Sequence, residues 1–339
     1  MTGILPRKVL LSGGHEIGGV ASFAESLRAG FSQRGIPAEI VAPSQVFRRI
    51  GELRDPGILK ILSTTAVFAA PLARRAICMA HGVPRADYQG YRKLLAIIAS
   101  FRLANRSSGA RLVSVSHFTA ATLRAVFAVR TDAVIHNPVK PLFAESFTPS
   151  EERCYITYAG RLIAAKNPHR IFPAVRELLD ENPGLRACIV GEGELRMELE
   201  RIAGGDPRFE FKSAPDDRAL RGYLRKTKVF VSGNEVEGFG ITYLEAMTQG
   251  CVVAMPAGGG GLEIAPERVG SAVQLFPLSW DHDGVLATLR RALRQQAPPL
   301  YTGVPTVEAA AGAYLSADAL FFRQRAHGTS SNLITGRER

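Results

Sequence analysis

Glu237 and Glu245 are carboxylates with seven residues between them, divided by the glycine-bearing turn Gly238-Phe239-Gly240. The apolar run Val229 to Val231 precedes them, and the stretch from Ile241 to Gly250 carries the second. This pattern reads as a buried strand, a polar turn and a helix that stops at Gly250. At 1.5 Å of rise per residue, Glu245 sits roughly 8 Å further along the axis. Carboxylates offset in this way do not make a close acid/base pair. They suit hydroxyl groups at opposite ends of one elongated ligand. Between them lies a helix start, whose free backbone N–H groups and partial positive charge favour a phosphate. Arg161 and Lys166 follow another strand, Tyr155 to Ala159. Two fixed cations at a strand end are what a leaving diphosphate needs as its negative charge grows. A nucleotide-sugar, with a hydroxyl-bearing group at each end and phosphates between, has that shape.

Alternating strands and helices must carry these groups. Strands are predicted at Lys8 to Ser12, Glu39 to Ala42, Ala76 to Ala80, Arg111 to Val115 and Asp132 to Ile135. Six more follow, near residues 155–159, 186–190, 209–212, 229–232, 252–255 and 272–275, with helices between them. Residues 58–73 form a long apolar run read as helical, and a short helix is read near 262–266. Strands followed by helices in this order build parallel sheets with both faces covered. The expected architecture is α/β, two doubly wound Rossmann-like domains facing each other across a cleft. Their expected bounds are 1–145 and 146–305, followed by a helix over 306–325 that returns towards the first domain and a polar disordered tail over 326–339. Ligands of such sheets bind beyond the carboxyl ends of the strands. His81-Gly82 stands at one such end, and Gly13 to Gly19 at another. The latter loop fails the dinucleotide fingerprint, because His15 takes the second glycine position. It also fails the P-loop pattern, because Val20 follows Gly19. What remains is a flexible loop able to meet a diphosphate through Gly18 and Gly19.

At 339 residues with 46% apolar content and mean hydropathy near zero, the chain reads as a soluble globular protein of about two domains. The start, Met1 to Lys8, has no apolar core of a signal peptide, and no run approaches the roughly 20 residues of a membrane span. Cys78, Cys154, Cys188 and Cys251 are scattered without metal-ligand spacing and read as reduced thiols. Charge is uneven. Residues 1–150 hold 19 Lys+Arg against 8 Asp+Glu, whereas residues 151–339 hold 23 of each. A one-sided basic surface implies an acidic partner. The stretch Tyr91 to Arg106 reads as an amphipathic helix with Leu94, Ile97, Ile98 and Phe101 on one face and Arg92, Lys93, Arg102 and Arg106 among the polar positions. Docking on an anionic membrane is the functional reading of that helix.

The ordered set Gly160-Arg161-Leu162 with Lys166, Gly191-Glu192-Gly193, Glu237 to Glu245, and Gly258-Gly259 with Glu263 resembles retaining glycosyltransferases of the GT-B fold, specifically glycosyltransferase family 4. The likeness runs over nearly the whole chain and is strongest from Tyr155 to Gly270. Gly18-Gly19, His81-Gly82, Val113 to Ser116 and Ile135 to Asn137 fit it more loosely. It implies that Arg161 and Lys166 hold the donor diphosphate, together with backbone N–H groups of Gly19 and of Gly240, Ile241 and Thr242. Glu237, with the Gly238-Phe239 turn, would bind hydroxyls of the transferred sugar, Glu245 those of the ribose, and His81 would lie against sugar and acceptor. The implied catalytic group is therefore Glu237, His81, Arg161 and Lys166. The resemblance further implies retention at the anomeric carbon, no metal and no cofactor, the nucleotide-diphosphate-sugar being a substrate. Asn167 replaces a common glycine, and Lys212 and Lys228 stand where the family usually has Gly and Asp. Asp281-His282-Asp283 matches a metal motif formally but reads as a helix cap.

The partners expected are a nucleotide-sugar donor, a lipid-linked or cell-envelope glycan acceptor, and an anionic membrane surface met by the basic first domain. This places the protein in the cytoplasm, peripheral at the inner face of the plasma membrane. Two other readings keep part of the pattern: a nucleotide-sugar epimerase or phosphorylase of the same fold, and a basic nucleic-acid-binding protein. The second lacks any helix-turn-helix, zinc or aromatic stacking signature, so no nucleic-acid partner is expected.

Overall fold

The computed structural model describes residues 5–13, 19–145, 147, 152–213, 216–277, 279–296 and 298–323. Gly18 and the tail expected over 326–339 lie outside them.

Two six-stranded parallel sheets follow one another along the chain. The first contains β1 (Lys8–Ser12), β2 (Ala38–Val41), β3 (Ile58–Ser63), β4 (Ala76–Ala80), β5 (Ala110–Ser114) and β6 (Ala133–Val134), in the order β2-β1-β3-β4-β5-β6. The second contains β7 (Tyr155–Ala159), β8 (Arg186–Val190), β9 (Phe209–Lys212), β10 (Thr227–Val231), β11 (Val252–Pro256) and β12 (Val273–Phe276), in the order β12-β11-β10-β7-β8-β9. Strand order reverses between β1 and β3 in the first sheet and between β7 and β10 in the second. These are the points where connections leave to opposite faces and open a crevice. β7 leads into Arg161 and β10 into Glu237.

Helices of the first domain are α1 (Gly19–Gln33), α2 (Ile50–Arg54), α3 (Ala86–Gln89), α4 (Tyr91–Arg106), α5 (His117–Phe127) and α6 (Pro141–Ala144). Those of the second are α7 (Pro168–Glu181), α8 (Arg196–Ala203), α9 (Asp217–Arg225), α10 (Ile241–Thr248) and α11 (His282–Arg294). The last, α12 (Val307–Arg323), packs on α1. Tyr314 of α12 is fully buried, and Arg75 grips Asp318 through two hydrogen bonds of 2.7 and 2.6 Å. Asp318 is 1% exposed, so this bidentate pair ties the end of the described chain to the first sheet.

Residues 58–73 are not a helix. β3 occupies 58–63, the central position beside β1, and 3₁₀ turns fill Thr64–Leu72. Lys60 hid the strand. Lysine is depleted in strands, and an unbroken apolar run cannot by itself distinguish strand from helix. In the fold Lys60 is wholly buried, and its ammonium donates to the carbonyls of Asp55 and Ile58 at 2.6 and 2.9 Å and to that of Arg74. Burial lowers its pKa to about 7. Near 262–266, 3₁₀ turns at Gly260–Glu263 and Pro266–Arg268 replace the expected helix. Three of the four thiols are buried and Cys154 is half-buried, all without a disulfide. Asp281 caps α11, its Oδ1 accepting from Gly284 N at 2.9 Å. No group of three His, Cys, Asp or Glu among the described residues could hold a metal.

Candidate active site

Glu237 lies in the turn between β10 and α10, beyond the carboxyl end of the strand. Its Oε2 accepts from Lys166 Nζ at 2.9 Å and from Asn234 Nδ2 at 2.5 Å, and its Oε1 accepts from Gly238 N at 3.1 Å. Burial pushes the carboxyl up, but the ammonium of Lys166 and these donors outweigh it and hold its pKa below the ordinary value. Lys166 reaches this position because Asn167 turns the chain there. Asn167 has φ 51°, ψ 34°, immediately precedes α7 and donates from Nδ2 to Gly233 O at 3.0 Å. Glycine and asparagine are the residues that adopt this left-handed conformation readily, which accounts for asparagine at a common glycine position.

Gly238 brings the two domains into contact. A Cβ on it would stand 2.5 Å from His81 O and 2.9 Å from the Cα of Gly82, so only glycine fits. His81 follows β4. Its Nε2 is 2.9 Å from Ser63 Oγ at the end of β3, and its ring meets Phe23 of α1 edge-on at 4.7 Å. Burial lowers its pKa to about 4, so it is neutral at physiological pH. Arg161 also crosses the cleft, its guanidinium lying 4.2 Å from the ring centre of Tyr88 in α3.

Glu245 stands apart from this group. It is 6% exposed on α10, no described residue hydrogen-bonds its carboxylate, and its charged neighbours are Lys140 and Asp217. Burial raises its pKa to about 8. Gly19 is exposed at the start of α1, and Phe239 is buried beneath the stacked ring of His136, 4.9 Å away. Ile241 and Thr242 form the first turn of α10 and remain half-exposed. Arg92, Lys93, Arg102 and Arg106 all lie exposed on α4. Arg102 is held by the carbonyl of Phe127 at 3.0 Å. Sequence reasoning missed Asn234 and Tyr88. Asn234 lies three residues before Glu237, a spacing that could have suggested it. Nothing local pointed to Tyr88.

Residues 140–294 match the model of the family described as glycosyl transferases group 1. This segment resembles a group 1 glycosyl transferase domain. Its relatives include the GDP-mannose-dependent alpha-(1-6)-phosphatidylinositol dimannoside mannosyltransferase of Mycobacterium tuberculosis, 35% identical over 96 residues that make up 28% of this chain and 25% of that protein. One subunit of the human phosphatidylinositol N-acetylglucosaminyltransferase is 28% identical over 154 residues, 43% of this chain and 31% of that protein. Each alignment thus spans a third or less of the relative. The crystal structure of Anabaena HepE in complex with UDP and glucose superposes with a TM-score of 0.67 at 15% identity, covering 94% of this chain and 98% of that one. The matching segment and the first sheet together have the GT-B fold.

Proposed function

We propose that the protein is a retaining glycosyltransferase of family 4. It would move a sugar from a nucleotide-diphosphate-sugar to a lipid-linked or cell-envelope glycan acceptor at the cytoplasmic membrane face, without metal. One observation carries the reading: the Lys166–Glu237 pair sits beside Gly238, where the turn after β10 presses on His81-Gly82 of the other domain. A cation, a carboxylate and a helix start converge where the two sheets meet.

Each group has a task in such a transfer. Lys166 has three donors, so it can hold Glu237 and a phosphate oxygen together. Arg161 and the backbone N–H groups at the start of α10 add positive potential where charge grows on the leaving diphosphate. Glu237, kept ionised, accepts from hydroxyls of the transferred sugar. Glu245 accepts from the ribose. Neutral His81 offers a hydrogen bond without a charge beside the reacting carbon. In a front-face mechanism the acceptor's proton passes to a leaving phosphate oxygen, and the new bond forms on the face the diphosphate leaves. A lipid acceptor is supported by the names of the mycobacterial and human relatives, both of which refer to phosphatidylinositol. The exposed bases of α4 support docking at an anionic surface. No described helix is long and apolar enough to cross a membrane.

The test is a panel of nucleotide-sugars screened for thermal stabilisation, because a ligand of the native state raises its stability by mass action. The stabilising donor is then incubated with lipid and glycan acceptors in EDTA, and the product's anomeric configuration is read by NMR. Retained configuration in a glycosylated acceptor supports the proposal. Turnover without acceptor makes the protein an epimerase, and dependence on orthophosphate makes it a phosphorylase.

A further inference from the structure

The first turn of α5 leaves backbone N–H groups that a helix cannot satisfy internally. Thr119 N is met locally by Ser116 Oγ at 3.0 Å. The preceding two are met from the other domain. Glu263 accepts from His117 N at 2.8 Å and from Phe118 N at 2.6 Å, one carboxylate oxygen to each. Helix caps are ordinarily local residues; this one lies 146 positions away in sequence. The end of α5 is therefore complete only when the two domains are together.

The same helix end holds the turn that carries Glu237. Ser116 Oγ donates to Gly238 O at 2.5 Å, and Thr119 Oγ1 lies 3.3 Å from the same oxygen. Beside them Gly260 N donates to Glu237 O at 2.7 Å, and a Cβ on Gly260 would stand 2.1 Å from Gly238 O and 2.8 Å from Ser116 Oγ. Glu263 closes the 3₁₀ turn that Gly260 opens. The cap and the clamp on Glu237 thus come from one four-residue turn. His136 of the first domain stacks on Phe239 and brings its Nε2 to 3.8 Å from Glu263, adding packing to the same seam.

We propose that Glu263 and Ser116 form a latch across the cleft that sets the Glu237-Gly238 turn in its sugar-holding position, making Glu263 a positioning residue for transfer. The role rests on the glycosyltransferase reading. It does not require Glu263 to touch the donor, and the ribose and diphosphate contacts lie outside the latch.

Hydrogen exchange and kinetics on the full chain test it separately. With UDP-glucose or GDP-mannose present, whichever stabilises the wild type, the amides of His117 and Phe118 are protected. In Glu263→Ala they exchange roughly tenfold faster or more. The variant's kcat falls roughly 10- to 100-fold, the cost of a misplaced reacting group, while its affinity for free UDP or GDP is unchanged. Glu263→Gln, nearly isosteric and left with one acceptor oxygen, recovers part of both losses and stands in should the alanine variant fail to fold. Unchanged exchange at 117 and 118 overturns the latch. Faster exchange with full kcat overturns the positioning role, and so does equal loss of kcat and of nucleotide affinity. A wild type whose amides are protected through Glu263 but which transfers no sugar overturns the transfer reading, and the positioning role with it, while the latch stands.

Discussion

Lys166 Nζ lies 2.9 Å from Glu237 Oε2, each side chain about one-fifth exposed, and this contact fixes the charge state of the carboxylate. Burial alone would raise the pKa of Glu237; Lys166, with the donors of Asn234 and Gly238, reverses the sign. A carboxyl with a depressed folded pKa contributes stability above its unfolded pKa, lost as pH falls through the folded value. Lys166→Met removes the main opposing charge and leaves burial opposed only by the Asn234 and Gly238 donors. The pKa of Glu237 then rises relative to the wild type, and its stabilising contribution shrinks. Melting temperature measured from pH 3 to 8 should show the acid-side loss in the wild type and a smaller pH-dependent gain above it in the variant. The partly exposed pair should be worth about 1–3 kcal/mol. Glu237→Gln should keep the fold and lower turnover roughly 10²- to 10³-fold.

Glu245 behaves oppositely. With its pKa raised to about 8 by burial, it is largely protonated at pH 7. A carboxyl raised in the folded state gives stability that is full below its unfolded pKa and lost as pH rises through the folded one. The wild type should therefore lose stability between about pH 4.5 and 8 through this group, and Glu245→Gln should flatten that slope. Ribose hydroxyls donate best to an ionised carboxylate, so nucleotide binding at pH 7 should expel a proton. Calorimetric heats in Tris and in phosphate should differ for the wild type and coincide for Glu245→Gln, which should also bind more weakly.

Much of this site was legible because its signals are local. Gly238 and Gly240 between a β-branched strand and an apolar helix mark the turn, and helix α4 was bounded at Tyr91 and Arg106 by periodicity alone. β3 was not legible, since Lys60 is tolerated in a central strand only through backbone carbonyls supplied by the turns around it. The hydrogen bond from Ser116 to Gly238 spans 122 positions, and nothing in local spacing reports a contact of that range. Ser116 caps α5 in the ordinary local way. Its second bond, to the other domain, leaves no such local signal.

Arg161 lies over the Tyr88 ring at 4.2 Å and makes no ion pair among the described residues. A guanidinium attracted to a ring face can still offer N–H donors to phosphate. Arg161→Ala should lower kcat/KM for the donor roughly 10²- to 10³-fold. Tyr88→Phe keeps the ring and should retain activity. Tyr88→Ala should cost about 0.5–1 kcal/mol in donor binding, a few-fold in KM. Arg161→Lys, which keeps charge but loses the planar fork, should fall between them. Steady-state kinetics on the four variants checks this order.

On α4, Arg92, Lys93 and Arg106 are exposed without an ion-pair partner among the described residues, and Tyr91 and Leu95, 77% and 66% exposed, stand among them. Apolar side chains mixed with free cations are what an interfacial helix presents to anionic lipid. Arg102 differs, because its bond to Phe127 O gives it a part in packing α4 on α5. The triple replacement Arg92→Gln, Lys93→Gln and Arg106→Gln should weaken binding to phosphatidylserine vesicles by about 1 kcal/mol per residue. Binding should also fall steeply with salt in the wild type, since exposed charges more than a Debye length apart are screened. Activity on a water-soluble acceptor analogue should stay near wild type, because none of the three is among the hydrogen-bond partners of Glu237 or Lys166. Arg102→Gln should instead lower the melting temperature with a smaller effect on vesicles. Sedimentation with vesicles, run beside the soluble assay, separates the two roles; equal loss of both activities in the triple variant would remove the docking helix.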